Sequence, residues 1–255
     1  MNDSFSVVIP ARLSSKRLPG KLLLPIAGQA MLRHVVERAL LSDAKHVYVA
    51  ADDQQLIDVL VGTDAISVMT SVDHVSGTDR IVEAIQDTGL EPTDIVVNVQ
   101  GDEPLIPPNV VNQVAQLLID RPISGVASLY STISDVKEIF DPNVVKVVLS
   151  SDSNALYFSR APIPWDRRNF ADGEPTEVDP HWYRHVGIYA YRVWALQQFV
   201  SWSPSRLEQL ESLEQLRFLA NGISIVLDHV NEPVCAGVDT PADLERVREF
   251  FATQN

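Results

Sequence analysis

Four basic side chains, Arg12, Lys16, Arg17 and Lys21, fall within ten residues near the start of the chain. They do so in a protein with 20 Lys and Arg against 34 Asp and Glu, a formal net charge of −14. A cationic knot on an anionic body inverts the local field, and its ammonium and guanidinium groups suit a polyanion such as a triphosphate. Gly20 permits backbone shapes that a side chain would forbid, and Pro19 stiffens the turn before it. Two familiar phosphate loops are absent. The Walker pattern would need Gly and a hydroxyl residue where Ser15 and Leu22 stand, and Gly20 and Gly28 do not make the triple-glycine dinucleotide pattern. A solvated basic loop is the plain alternative. Against it stands Val7-Val8-Ile9, a buried-strand run that Pro10 is expected to end, because ligands of open α/β sheets sit beyond strand C-termini.

Further groups could join that loop. In His74-Val75-Ser76-Gly77-Thr78-Asp79-Arg80, Ser76 or Thr78 can cap a helix, or the hydroxyls and Arg80 can match the edge of a base. Val97-Asn98-Val99-Gln100-Gly101-Asp102-Glu103 runs a strand into a carboxylate, either an ordinary turn Asp or a Mg²⁺ ligand, with Asp102 ahead of Glu103. Gly237-Val238-Asp239-Thr240-Pro241 places Asp239 where it could cap a helix, hold a metal, or do both. Arg160 ends Phe158-Ser159-Arg160 with a fork that fits a carboxylate. His185 and Tyr189 share a strand face, and Glu211 and Gln215 share a helix face at i,i+4. Taken singly, each of these last residues is more often a surface or satisfied core residue.

As a set, the Ile-Pro-Ala-Arg run at 9–12, the Arg-Leu-Pro-Gly-Lys run at 17–21 and the later motifs resemble the 3-deoxy-manno-octulosonate (Kdo) cytidylyltransferase family over nearly the whole chain. Phe158 through Trp165 and His185 through Arg192 favour Kdo over other acidic sugars. The resemblance implies CTP + Kdo giving CMP-Kdo and diphosphate for lipopolysaccharide synthesis, with Mg²⁺ as cofactor in a cytoplasmic homodimer. It implies nucleotide contacts from Pro10, Ala11, Arg12, Arg17, Lys21, Ser76, Arg80, Gln100 and Asp102. Asp102 and Asp239 would be the metal ligands, and with Lys21 and Arg17 the catalytic set. Gln100, Arg160, His185, Tyr189, Glu211 and Gln215 would read the sugar. Leu22 stands where the family often has Pro, and Ala51 where it usually has Thr. A cytidylyltransferase for 8-amino-Kdo or sialic acid is the rival within the class. A nucleotide-binding regulator without catalysis is the rival outside it, disfavoured by the presence of Lys21 and both carboxylates.

The elements that must position these groups alternate. Strand runs at 5–9, 47–51, 66–69 and 95–99 are followed by helical stretches at 31–41, 54–61, 79–87 and 109–119. This rhythm predicts a mostly parallel sheet with crossover helices on both faces, an α/β Rossmann-like fold. By resemblance it is of the nucleotide-diphospho-sugar transferase type. After Val126 the rhythm changes. Strands at 126–132, 144–149, 156–158 and 186–191 read as an inserted mixed-sheet lobe spanning about 126–220, within a single domain of 1–255. By resemblance this lobe carries the sugar site and dimer contact. A helix at 207–219, a strand at 223–227 and a helix at 241–251 complete the chain, with Asp239 and Thr240 placed to cap the last. The single Cys235 excludes an internal disulfide and is expected to be a small buried residue. No apolar run reaches the ~18 residues of a membrane span, and the first six residues do not suggest a secretory leader. The acidic balance argues against nucleic acid or anionic membrane as the main partner.

Overall fold

The computed structural model describes residues 4–15, 17–74, 76–170, 173, 175, 178 and 181–253. Lys16 of the basic loop and Val75 of the second motif lie outside them. In chain order the elements are β1 (Phe5–Ala11), β2 (Pro25–Ile26), β3 (Gln29–Ala30), α1 (Met31–Leu40), β4 (His46–Ala51), α2 (Gln54–Asp58) and β5 (Ile66–Met69). Next come α3 (Gly77–Ile85), β6 (Ile95–Asn98), α4 (Pro108–Ile119), β7 (Val126–Thr132), α5 (Val136–Phe140), β8 (Lys146–Leu149) and β9 (Ala155–Ser159). The last are β10 (Tyr183–Arg192), α6 (Val193–Ser201), α7 (Arg206–Glu211), α8 (Leu216–Ala220), β11 (Ile225–His229) and α9 (Pro241–Thr253).

The main sheet runs β11-β7-β10-β6-β1-β4-β5. β1 pairs in parallel with β4 and β6, β4 with β5, and β7 with β11, while β10 runs antiparallel to both β6 and β7. Two apolar layers cover it. Val7, Ile9 and Val97 point into the layer built with α1, α4 and α9, whereas Val8, Val96 and Tyr189 point into the layer of α3, α6 and α8. Alternate residues of one strand thus face opposite layers, which is why these strands are apolar throughout rather than alternating. In α1, Leu32, Val35, Val36 and Ala39 are buried on one stripe at i, i+3, i+4 and i+7.

Three expectations change. Pro10 does not end β1. Val8 O accepts from Val99 N on the β6 side, and the two-residue period turns Pro10 to that same side, beyond the last β1–β6 pair at Val8↔Asn98. Its missing N–H therefore costs no ladder bond, and the β4 ladder continues to Ala11. The 126–220 stretch does not stand apart as a lobe, because β7 and β10 are inner strands of the main sheet; what leaves that path is β8, paired to β10's first residues, and β9, paired to β8. The helix read at 207–219 is two helices, broken at Ser212 with φ 53°. α5, α6 and the short β2–β3 hairpin were not read from the sequence.

Candidate active site

The basic loop leaves β1 and turns at Gly20, whose φ of 63° is left-handed. A 3-10 turn, Lys21–Leu23, follows and aims the Lys21 ammonium inward. Lys21 Nζ contacts Asp102 Oδ2 and donates to Asp239 Oδ1 at 3.1 Å and to Val238 O at 3.1 Å. Arg17 adds an ion pair with Asp239 at 2.8 Å. Two glycines let these segments meet. A Cβ on Gly101 would lie 3.1 Å from Pro10 O, and one on Gly237 would lie 3.3 Å from Asp102 O. Val238 N donates to Asp102 O at 2.8 Å, which joins the two carboxylate segments directly.

Asp239 is not the cap of α9. Thr240 Oγ1 accepts from Asp243 N at 3.2 Å, and the Asp243 carboxylate accepts from Asp239 N and Thr240 N. This reciprocal cap leaves the Asp239 carboxylate free to face Lys21 and Arg17. Burial alone would lower the Lys21 pKa. Asp102, and then Asp239, outweigh it, so the ammonium titrates above its ordinary value. Burial and the neighbouring Asp102 charge push Glu103 up to about 8, so at neutral pH it is mostly protonated and brings little negative charge.

A cavity of about 270 Å³ opens beside this cluster, lined among others by Pro10, Arg12, Lys21, Ser76, Gln100 and Asp102. Ala11 is buried in the core and does not line the cavity; Arg17 and Asp239 join the cavity through Lys21. Ser76 caps α3, accepting from Asp79 N at 3.1 Å. Arg80 lines the cavity but spends its guanidinium inside, on Thr70 Oγ1 at 2.6 Å and Asp52 Oδ2 at 3.0 Å. Asp52, which carried no role in the sequence reading, also accepts from Leu13 N at 2.8 Å and so anchors the basic loop.

A second cavity of about 310 Å³ shares Gly77, Gln100 and Glu214 with the first. His185, Tyr189 and Gln215 line it. The His185 ring packs against Phe158 and Tyr189 and meets Ser128 Oγ at 2.9 Å. Burial pulls its pKa down to about 3, so the imidazole is neutral. Arg160 and Glu211 line neither cavity. The Arg160 guanidinium binds the carbonyls of Glu211 at 2.7 Å and Pro142 at 2.7 Å, and Glu211 accepts from Ser159 Oγ and Arg160 N. The pair fixes the 211–215 turn instead of opening onto the cavity. That turn presents Glu214, which accepts from Thr78 Oγ1 at 2.9 Å and whose carboxyl is raised, chiefly by burial. The sequence reading passed over Glu214, because a continuous helix would have put Glu211 and Gln215 on the shared face. Cys235 is exposed rather than buried, since it lies in the loop after β11.

The cytidylyltransferase family model matches residues 6–225. The 3-deoxy-manno-octulosonate cytidylyltransferase of Alcanivorax borkumensis is 53% identical over 251 residues, 98% of this chain and 100% of that protein. This chain belongs to the 3-deoxy-manno-octulosonate cytidylyltransferase family. The Hahella chejuensis member is 49% identical, covering 98% of both chains. The fold of this cytidylyltransferase also matches a solved CMP:2-keto-3-deoxy-manno-octonic acid synthetase complexed with CTP, with TM-score 0.89, 43% identity, and coverage of 99% of this chain and 100% of that one. Leu22 is buried and lies where a Cβ on Gly101 would meet it at 3.3 Å.

Proposed function

We propose that this cytidylyltransferase joins CTP to Kdo, giving CMP-Kdo and diphosphate. The observation that carries the reading is the meeting of Lys21 with both Asp102 and Asp239, beside two cavities that share Gln100 and Glu214. The Kdo anomeric oxygen attacks the α-phosphorus, the bond to the diphosphate oxygen breaks in line, and the hydroxyl proton passes to solvent. Positioning and charge neutralisation carry such a step. Lys21, cationic throughout the neutral range, stabilises charge at the α-phosphate, while Arg12 and Arg17 hold the outer phosphates. Ser76 and Arg80 flank the base, and Gln100 lies between nucleotide and sugar. His185, Tyr189 and Gln215 meet the sugar. Arg160 and Glu211 act through the turn that carries Glu214.

The donor set suits Mg²⁺. Two hard carboxylates, Asp102 and Asp239, already converge on one cationic point. Such a partial shell matches an ion that keeps waters and takes substrate oxygens. Bound by Asp102 and Asp239, Mg²⁺ would neutralise phosphate charge and acidify the sugar hydroxyl. No described helix is long and apolar enough to cross a membrane. What supports the further reading of a cytoplasmic homodimer serving lipopolysaccharide synthesis is the likeness to the family alone.

Diphosphate release, measured with CTP, Mg²⁺ and each of Kdo, 8-amino-Kdo and sialic acid, tests the reading. Kdo should give the highest kcat/KM. A preference for another sugar overturns the acceptor assignment, and no release with any of them overturns the enzyme assignment. Light scattering should give twice the chain mass; a monomer would refute the dimer.

A further inference from the structure

We infer that Asn98 is a specificity-determining residue for the acceptor, its side-chain oxygen accepting a hydrogen bond from a sugar hydroxyl in the second cavity. The inference rests on reading that cavity as the sugar site. Asn98 is the last residue of β6 and the cross-strand partner of Tyr189 in the antiparallel β6–β10 pair. Both side chains therefore stand on the same face of the sheet. Their neighbours on that face, Val8 and Val96, are apolar core residues, and a branched aliphatic side chain would pack at position 98 equally well. Asn98 is only 4% exposed and Tyr189 7%, yet both line the second cavity. Among the described residues, neither Asn98 Oδ1 nor the Tyr189 hydroxyl has a hydrogen-bond partner.

Buried polar atoms are nearly always paired, because leaving one unpaired forfeits its hydration. Two orphans side by side on one cavity wall point to a partner that arrives with the ligand. Oδ1 is the unpartnered end of the Asn98 amide, and a carbonyl oxygen is an acceptor for a hydroxyl. Tyr189 can donate to the same oxygen or its neighbour. The cavity's other polar groups suit hydroxyls too: Thr78, Gln100, Ser212, Gln215, the Glu214 carboxyl and the neutral His185 line it, and no Lys or Arg does among the described residues. The second cavity thus takes the hydroxyl-bearing part of the sugar. The carboxylate end lies toward Gln100 and the cations of the first cavity.

The test compares kcat/KM for Kdo and for its monodeoxy analogues, each lacking one hydroxyl, in the wild type, in Asn98→Leu and in the smaller Asn98→Ser. Thermal unfolding and the KM for CTP are followed in parallel. The wild type should disfavour one analogue by about 10- to 100-fold. Asn98→Leu should lose a similar factor on Kdo itself through the sugar KM, and should no longer distinguish Kdo from that analogue. The CTP KM should stay within about threefold, since Asn98 lines only the sugar cavity. A variant that keeps the wild-type discrimination against every analogue overturns the inference. So does a KM rise shared equally by CTP, or a chain that folds with neither substitution, since each would assign Asn98 to the fold. If the wild type itself does not turn Kdo over, it is the reaction assignment that fails, and this shows before any variant is compared.

Discussion

Lys21 is the side chain on which two acidic segments close, and its role is testable alone. Lys21→Ala should cost about 3 kcal/mol of transition-state stabilisation, on the order of a hundredfold in kcat, comparable to losing one oxyanion donor. Steady-state diphosphate release measures it, and near-normal turnover would refute the role. Asp52 acts differently. With Arg80 it makes an ion pair, both partners largely enclosed, and with Leu13 N it ties down the basic loop. Asp52→Ala strands the Arg80 charge and should destabilise by roughly 3 kcal/mol in urea unfolding; a change under about 1 kcal/mol would mean the guanidinium finds solvent or another partner. Lys21, Arg17 and Asp102 were legible in the sequence because their charges stand out against apolar strands and glycine turns, whereas Asp239, equally readable as a helix cap, joined them only through the family resemblance. Asp52, Glu214 and the engagement of Arg160 were not legible, because tertiary contacts alone decide where those side chains point.

At the scale of elements, α9 and the turn before it divide two jobs between adjacent residues. Thr240 and Asp243 cap the helix, so Asp239 is free for Lys21. Asp239→Asn should therefore leave the melting temperature near that of the wild type while abolishing magnesium-dependent turnover. Thr240→Ala should cost about 1 kcal/mol of stability and lower activity only modestly. Thermal unfolding alongside the activity assay separates them, and the reverse pattern would restore Asp239 as the cap. The alternation of strands and helices was readable from apolar runs and breakers. The breaks were not. Pro10 continues β1 because of which neighbour its nitrogen faces, and the helix at 207–219 divides at Ser212 through a left-handed turn, which Arg160 helps to hold from a distant strand. Neither is encoded in hydrophobic period.

For the whole molecule, one sheet with a helical layer on each face brings its strand ends to one rim, where residues 21, 102 and 239 meet. The same packing leaves His185 half-buried at the wall of the second cavity, where desolvation favours the neutral ring. An unfolded His titrates near 6.5 and this one at about 3, so between those values the unfolded chain binds the extra proton. Stability should rise with pH across that window and be lost as pH falls from 6.5 toward 3. His185→Gln should flatten this part of the urea-midpoint profile; parallel profiles would mean that the imidazole is not shielded. Which strands are neighbours had to come from the structure, and so did the place of β7 and β10 within the main sheet, since periodicity carries no information on pairing. The most direct test of the account is a double-mutant cycle on kcat/KM with Lys21→Ala, Asp239→Asn and the double variant. If both side chains serve one metal–phosphate centre, the double variant should be about as slow as the slower single variant. Losses that multiply, as for two unconnected sites, would contradict it.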